Sequence, residues 1–189
     1  MAGARVLVFG ASGVGKSSAC ARLAESDGDV VHLRASELLS EVTGEHPELL
    51  RTASGDAIRR NQLLLAEALD RRAAEIGHAT VLLDGHAVID NDRSLIRVPA
   101  EAVAALRPDG MLLLEALPET VLRRRRIDGR PRPDRTISEI AAEISAEREA
   151  VLGYERGLRI PLVEVWAEPT ASLDHAVASL LRRIRRQGA

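Results

Sequence analysis

The segment Gly10-Ala11-Ser12-Gly13-Val14-Gly15-Lys16-Ser17 constrains this chain more than any other. It meets the phosphate-loop pattern GxxxxGK[ST] at every specified position. Lys16 is also the only lysine in 189 residues, every other basic residue being arginine. An ammonium is kept where a compact cation must reach between phosphates, a slot that a planar guanidinium does not fit on the same stem.

The flanking sequence agrees with the motif. Arg5–Phe9 is a short β-rich run without turn formers and reads as a buried strand, while Ser17–Glu25 has helical composition with no Gly or Pro. Strand, glycine turn and helix start is the geometry that aims successive backbone N–H groups at an anion. Gly10, Gly13 and Gly15 remove Cβ atoms that would block the approach of phosphate or forbid positive φ. Gly10, Ser12, Gly13, Val14, Gly15, Lys16, Ser17 and Ser18 are therefore the expected nucleotide contacts, and the Ser17 hydroxyl is placed to ligate Mg²⁺. The motif implies that the chain binds a nucleoside triphosphate.

Bulk properties narrow the class. The length predicts one domain with a sizeable core. A net charge of −2 argues against general attraction to nucleic acid or membrane. Phe9, Tyr154 and Trp166 are the only aromatics, so stacking platforms for single-stranded nucleic acid are nearly absent. Cys20 is the single cysteine, which excludes an internal disulfide and reads as a small core residue on the first helix. No apolar run reaches membrane-spanning length and no signal peptide is visible, so a cytoplasmic protein is expected. The basic end Arg182–Arg186 suits an interface or a solvated helix, leaving the oligomeric state open.

Apolar runs at 30–33, 80–84, 110–115 and 160–166 alternate with helical stretches at 55–76, 99–106, 118–127, 136–156 and 172–186. Thr136-Ile137-Ser138-Glu139 is a capping-box sequence, and Pro118 suits a first helical position. The alternation predicts an α/β fold of the P-loop NTPase type: about five parallel strands with helices on both faces and every strand's carboxyl end on one edge, where ligands bind.

Three features fall on that edge beside the phosphate loop. Asp84-Gly85-His86 ends the third strand, placing Asp84 to hold Mg²⁺ directly or through water. His86 either orients a water or phosphate oxygen or simply hydrogen-bonds the loop. The run Arg123–Arg126 puts four side chains about 100° apart around a helix, so only one or two reach a shared ligand. Arg130 and Arg132, in a proline-stiffened segment, suit a short arginine lid over residues 128–136. Ser36, Glu37, Arg51, Asp56, Arg59 and Arg60 mark an arm over a second-substrate site at residues 34–60.

With the phosphate loop, Asp84-x-His86 and Arg130/Arg132 in this order, the chain resembles the small adenylate kinases, nearest the archaeal and nuclear types. The likeness runs nearly the whole length, at low identity outside the motifs. The resemblance implies that Lys16 and the loop amides hold the donor phosphates, and that Ser17 and Asp84 hold magnesium. It places His86 near the phosphates, Arg51 on the acceptor phosphate, Ser36 in the acceptor site, and Arg124, Arg130 and Arg132 on the lid side. The chain departs from the pattern at Ser12, where proline is common, at Ala87-Val88-Ile89, and in the loop 90–99; the last two lie on the acceptor side.

The expected reaction is transfer of a phosphoryl group from Mg·ATP to a nucleoside monophosphate, with Lys16, His86, Arg130 and Arg132 as catalytic groups. The expected partners are thus ATP and a phosphorylated small molecule, with neither nucleic acid nor membrane. A kinase for a hydroxyl acceptor is the first alternative, with Asp84, Glu37 or Asp56 as base. An ATPase switch or assembly factor acting on a protein partner is the second. No Asn-Lys-x-Asp signature for guanine is present.

Overall fold

A computed structural model describes residues 3–129, 132–167 and 173–187. Five strands form one parallel sheet: β1 (Arg5–Phe9), β2 (Val30–Arg34), β3 (Thr80–Asp84), β6 (Gly110–Glu115) and β7 (Leu162–Trp166). Their spatial order is β2-β3-β1-β6-β7, so β1 is central and the chain changes sides around it. Register pairs Val8 with Asp84 and with Leu112, which sets the loop after β1 beside the end of β3. Ligands in such sheets bind where strand order reverses, at the carboxyl ends.

Alternation along the strands divides the core in two. Leu7, Phe9, Val81, Leu83, Met111 and Leu113 face one side. There they meet α2 (Ala35–Thr43), α3 (Pro47–Thr52), α4 (Gly55–Ile76), α5 (Ala100–Ala105) and one face of α7 (Ile137–Leu158). Val6, Val8, Leu82, Leu112 and Leu114 face the other side, against α1 (Lys16–Ser26), α6 (Pro118–Ile127) and α8 (Leu173–Gln187). Cys20 lies in this second layer, where burial pushes its thiol up to about 12, in keeping with a core role. Phe9 and Tyr154 meet at 5.9 Å between ring centroids, and the Tyr154 hydroxyl donates to the Val98 carbonyl at 2.5 Å.

Local chemistry explains the helix ends. The Ser54 hydroxyl accepts from the Ala57 N–H at 3.3 Å and opens α4, which stops at Gly77 with φ 78°. Thr136 and Glu139 form the capping box that the sequence shows, and Pro118 opens α6. The fifth predicted strand begins at Leu162 rather than Ile160, because Pro161 has no N–H and only its carbonyl joins the ladder, accepting from Met111 at 2.9 Å.

Four elements escape the sequence pattern. Helices α2 and α3 occupy the arm, and β4 (Val88–Asp90) and β5 (Leu95–Arg97) make an antiparallel hairpin where an irregular loop was expected. Each is nine residues or fewer, too short for periodicity to declare itself. The Asn91 side chain shapes the turn, its oxygen accepting from the Arg93 and Ser94 amides, while Asp92 takes φ 73°. Among the described residues no helix is long and apolar enough to cross a membrane.

Candidate functional site

The loop after β1 curls over the centre of the sheet edge and feeds α1. Gly10 has φ 147°, and a Cβ there would stand 2.4 Å from the Leu114 carbonyl; Gly15, at φ 106°, is the residue before the helix. Only glycine meets both demands. The N–H groups of Gly13, Gly15, Lys16, Ser17 and Ser18 have no acceptor among the described residues. That is a nest of free donors at a helix N-terminus, suited to phosphate. The Lys16 ammonium is buried and folds back on the loop, donating to the Gly10 carbonyl at 2.6 Å and the Ala11 carbonyl at 3.3 Å. Burial lowers its pKa, against the attraction of Asp84, Glu147 and Glu143.

Ser17 and Asp84 come together as the sequence implies, the hydroxyl donating to the carboxylate at 2.5 Å. Burial works to raise the Asp84 carboxyl, but His32, Lys16, Ser17 and His86 together hold it well below the usual carboxylate range. Among the described residues no group of three or more His, Cys, Asp and Glu side chains forms a metal cage, so this edge offers one carboxylate and one hydroxyl. His86 Nδ1 lies 3.0 Å from the Gly10 carbonyl and 3.5 Å from the Lys16 nitrogen. A carbonyl only accepts, so Nδ1 carries the proton and Nε2 keeps a lone pair. Burial, then the Lys16 charge, push His86 down to about 3, and the ring is neutral at pH 7. His86 therefore does hydrogen-bond the loop, the second of its two sequence-level roles.

Three groups that sequence reasoning missed complete this end. Glu147, 1% exposed, accepts from the amides of Gly10 at 3.0 Å, Ala87 at 2.9 Å and Val88 at 2.7 Å, tying the phosphate loop to the segment after β3. Burial raises its carboxyl, while Lys16 and the three amides oppose the shift. One turn earlier on α7, Glu143 accepts from the Ser12 amide at 3.2 Å and takes both oxygens to Arg125 at 2.7 Å. A signal was present: Glu143 and Glu147 share the buried stripe of Ile140, Ala150, Val151 and Tyr154, and carboxylates on such a stripe need partners. His32 is the third. It sits on β2 with Nε2 3.7 Å from Asp84 Oδ2, and that nitrogen is buried without a hydrogen bond.

The four-arginine run splits as its angular spacing requires. Arg124 donates to the Val14 carbonyl at 2.5 Å, and Arg125 donates to the Ser12 carbonyl at 2.9 Å, so both brace the loop; Arg123 and Arg126 are exposed. Arg125, which the sequence did not distinguish, has the deeper structural role. Arg132 pairs with Asp128 at 2.6 Å on the wall of the cleft. Arg130 lies outside the described residues.

A cleft of about 960 Å³ runs from the loop to the arm. Ser12 to Ser18, Asp84, His86, Arg124, Arg125 and Arg132 line it near the loop, and Ser36 and Arg51 line the arm. Arg51 is not bare. It donates to Glu48 and Asp92 at 2.5 Å each and to the Asp90 carbonyl at 2.6 Å, and these carboxylates raise its pKa further. Glu37, Asp56, Arg59 and Arg60 are exposed and do not line the cleft; Glu37 pairs with Arg34, and Asp56 with Arg59. The arginine cluster inferred for the arm thus reduces to Arg51, with Arg34 of β2 also on the lining.

This arrangement gathers phosphate donors, one buried ammonium and a hydroxyl–carboxylate pair at one end of a ligand-sized cleft. The fold is shared with a solved shikimate kinase from Bacteroides thetaiotaomicron. The match covers 97% of each chain at a TM-score of 0.55, with 17% identity. A sequence comparison with curated proteins gives no match. Residues 9–141, which hold the phosphate loop, the arm, Asp84 and the arginine helix, match the family described as AAA domain, and the chain belongs to that family.

Proposed function

We propose that the protein transfers the terminal phosphoryl group of ATP to a small acceptor in the arm, and that the acceptor is a nucleoside monophosphate. The supporting observation is the state of the carboxylates along the cleft. Asp84 holds Ser17 and is strongly acidic, Asp90 is bound by Arg135 at 3.0 Å, Glu48 is held by Arg51 at 2.5 Å, Glu143 by Arg125 at 2.7 Å and Asp128 by Arg132 at 2.6 Å. Each is engaged by a donor before substrate binds, and Asp84, the one beside the phosphate loop, is a weak base. A phosphate acceptor is already ionised at neutral pH and needs none, whereas a hydroxyl acceptor is helped by one.

Catalysis is then positioning and charge neutralisation. The loop amides and Lys16, released from the Gly10 and Ala11 carbonyls, hold the donor phosphates. Arg51 exchanges a carboxylate for the acceptor phosphate. Arg132 leaves Asp128 for the transferring group, so Arg132→Ala should lower kcat by more than it raises KM in steady-state assays. Ser17 and Asp84 fit Mg²⁺, an oxygen-seeking ion that draws most of its ligands from phosphates and water. When bound, it supplies neutralisation of the phosphate oxygens.

A hydroxyl acceptor is the second reading, favoured by the fold shared with a shikimate kinase. An ADP-release screen separates the two, run with ATP and with GTP across monophosphates, nucleosides and polyhydroxy acids. Turnover only with hydroxyl compounds would overturn the monophosphate assignment. ATP hydrolysis indifferent to every acceptor would overturn the kinase.

A further inference from the structure

The arm end of the cleft holds a polar group that the fold does not use. Gln62 lies on α4, on the same face as Ile58 one turn before it and Leu65 one turn after. It is 8% exposed and lines the cleft, yet it makes no hydrogen bond to any described residue. Its neighbour Asn61 also lines the cleft without one. The Gln62 amide is not sealed in the core: among the described residues only His32 Nε2 is a buried side-chain nitrogen or oxygen without a partner, so the polar end of Gln62 opens on the cleft. A leucine would fill this position on the apolar face of α4 with no polar group to satisfy. Gln62 therefore has the marks of a residue whose partner is a ligand.

The surroundings define that ligand. Leu39 of α2, Leu50 of α3, Ile58 and Leu65 of α4, and Val88 and Ile89 of the hairpin also line the cleft. Ser36, Arg51 and Asn61 line the same end, so the arm combines an aliphatic slot with a few polar groups. A flat heteroaromatic ring presents apolar faces to such walls and concentrates its polarity on one edge. The carboxamide offers one acceptor and one donor side by side in a plane, the complement of a base edge with an adjacent donor and acceptor. We infer that Gln62 reads the base of the acceptor nucleotide and is a specificity-determining residue of the arm. This rests on the monophosphate reading above and deepens it by naming the side chain that meets the base.

Calorimetric titration of the full chain tests the inference, using AMP, GMP, CMP, UMP, ribose 5-phosphate and ATP as probes. The wild type should bind at least one monophosphate about tenfold more tightly than ribose 5-phosphate, which lacks the base. Gln62→Leu should weaken that monophosphate by roughly tenfold, leaving ribose 5-phosphate and ATP within about twofold. Gln62→Glu presents two acceptors, so preference should move toward GMP, whose N1–H and N2–H₂ edge carries two donors. That preference is a ratio and survives partial loss of folded protein. Monophosphate binding by Gln62→Leu within about twofold of wild type, or an unchanged base ratio in Gln62→Glu, would overturn the role of Gln62 and leave the acceptor class standing. A wild type that prefers no monophosphate over ribose 5-phosphate would overturn both.

Discussion

The two ends of the cleft are held by opposite kinds of chemistry. At the donor end the partners are buried: Glu147 holds three backbone amides, Glu143 grips Arg125 and the Ser12 amide, and Lys16 lies over loop carbonyls. At the arm end the partners are surface pairs. Arg51 sits between Glu48 and Asp92, which are 37% and 41% exposed, and Arg34 meets Glu37, which is 55% exposed. Buried charges are costly to separate, whereas exposed ones exchange partners at little cost. The difference gives a pre-set grip on triphosphate and an adaptable grip on the acceptor. Preorganised donors aimed at developing charge are what phosphoryl transfer requires, and exposed pairs let the arm exchange partners at little cost.

The contrast breaks most visibly at Glu147. Glu147→Ala leaves three amides unpaired near Lys16 and should cost about 3–5 kcal/mol in urea denaturation; a loss below about 1 kcal/mol would show that α7 does not hold the loop. Lys16→Ala should lower kcat by about 10²- to 10³-fold in the ADP-release assay, with the urea midpoint showing whether the loop survives.

A smaller effect comes from His86, with a sign fixed by linkage. Its folded pKa of about 3 lies below the ordinary value of 6.5, so the unfolded chain takes up the proton first. Its contribution to stability is complete above pH 6.5 and is lost as pH falls toward 3. The stability advantage of wild type over His86→Gln should therefore shrink by about 1–3 kcal/mol between pH 7 and pH 4 in paired denaturation curves. A constant difference would place the ring in a charged or solvated state.

The smallest change in stability, and the sharpest test of the arm, is Asp92→Asn. It weakens an exposed pair, so stability should move by less than about 1 kcal/mol. It also removes one of the two carboxylates on Arg51, leaving Glu48, so KM for the acceptor should fall by about two- to threefold while KM for ATP stays put. A rise in acceptor KM would mean that Asp92 touches the substrate.

Legibility followed the range of the interactions involved. The phosphate loop, the five sheet strands, the bounds of α4 and α6 and the capping box at Thr136 could all be read directly, because strand period, proline, glycine and cap chemistry act over a few residues. The β4–β5 hairpin could not, since its turn depends on the Asn91 side chain and its cover on Arg51 and Arg135, which bind Asp90 or Asp92 from 39 to 45 residues away. Arg51 and Ser36 line the cleft, whereas Glu37, Asp56, Arg59 and Arg60, grouped with them on polarity alone, do not. Polarity marks a surface; it does not say which surface faces a ligand. Glu143, Glu147, Gln62 and His32 stayed hidden for the converse reason, being polar residues that only burial makes conspicuous.

The sequence by itself determined that a glycine turn with a single lysine caps a helix behind a buried strand, because backbone permissiveness and amide direction are local properties. Tertiary structure decided which charges hold that turn, which of the four consecutive arginines brace it, and which amides in the arm lack a partner among the described residues. Those outcomes depend on desolvation and on contacts across as many as 137 residues of chain, as between Gly10 and Glu147, and such distances exist only once the chain has packed.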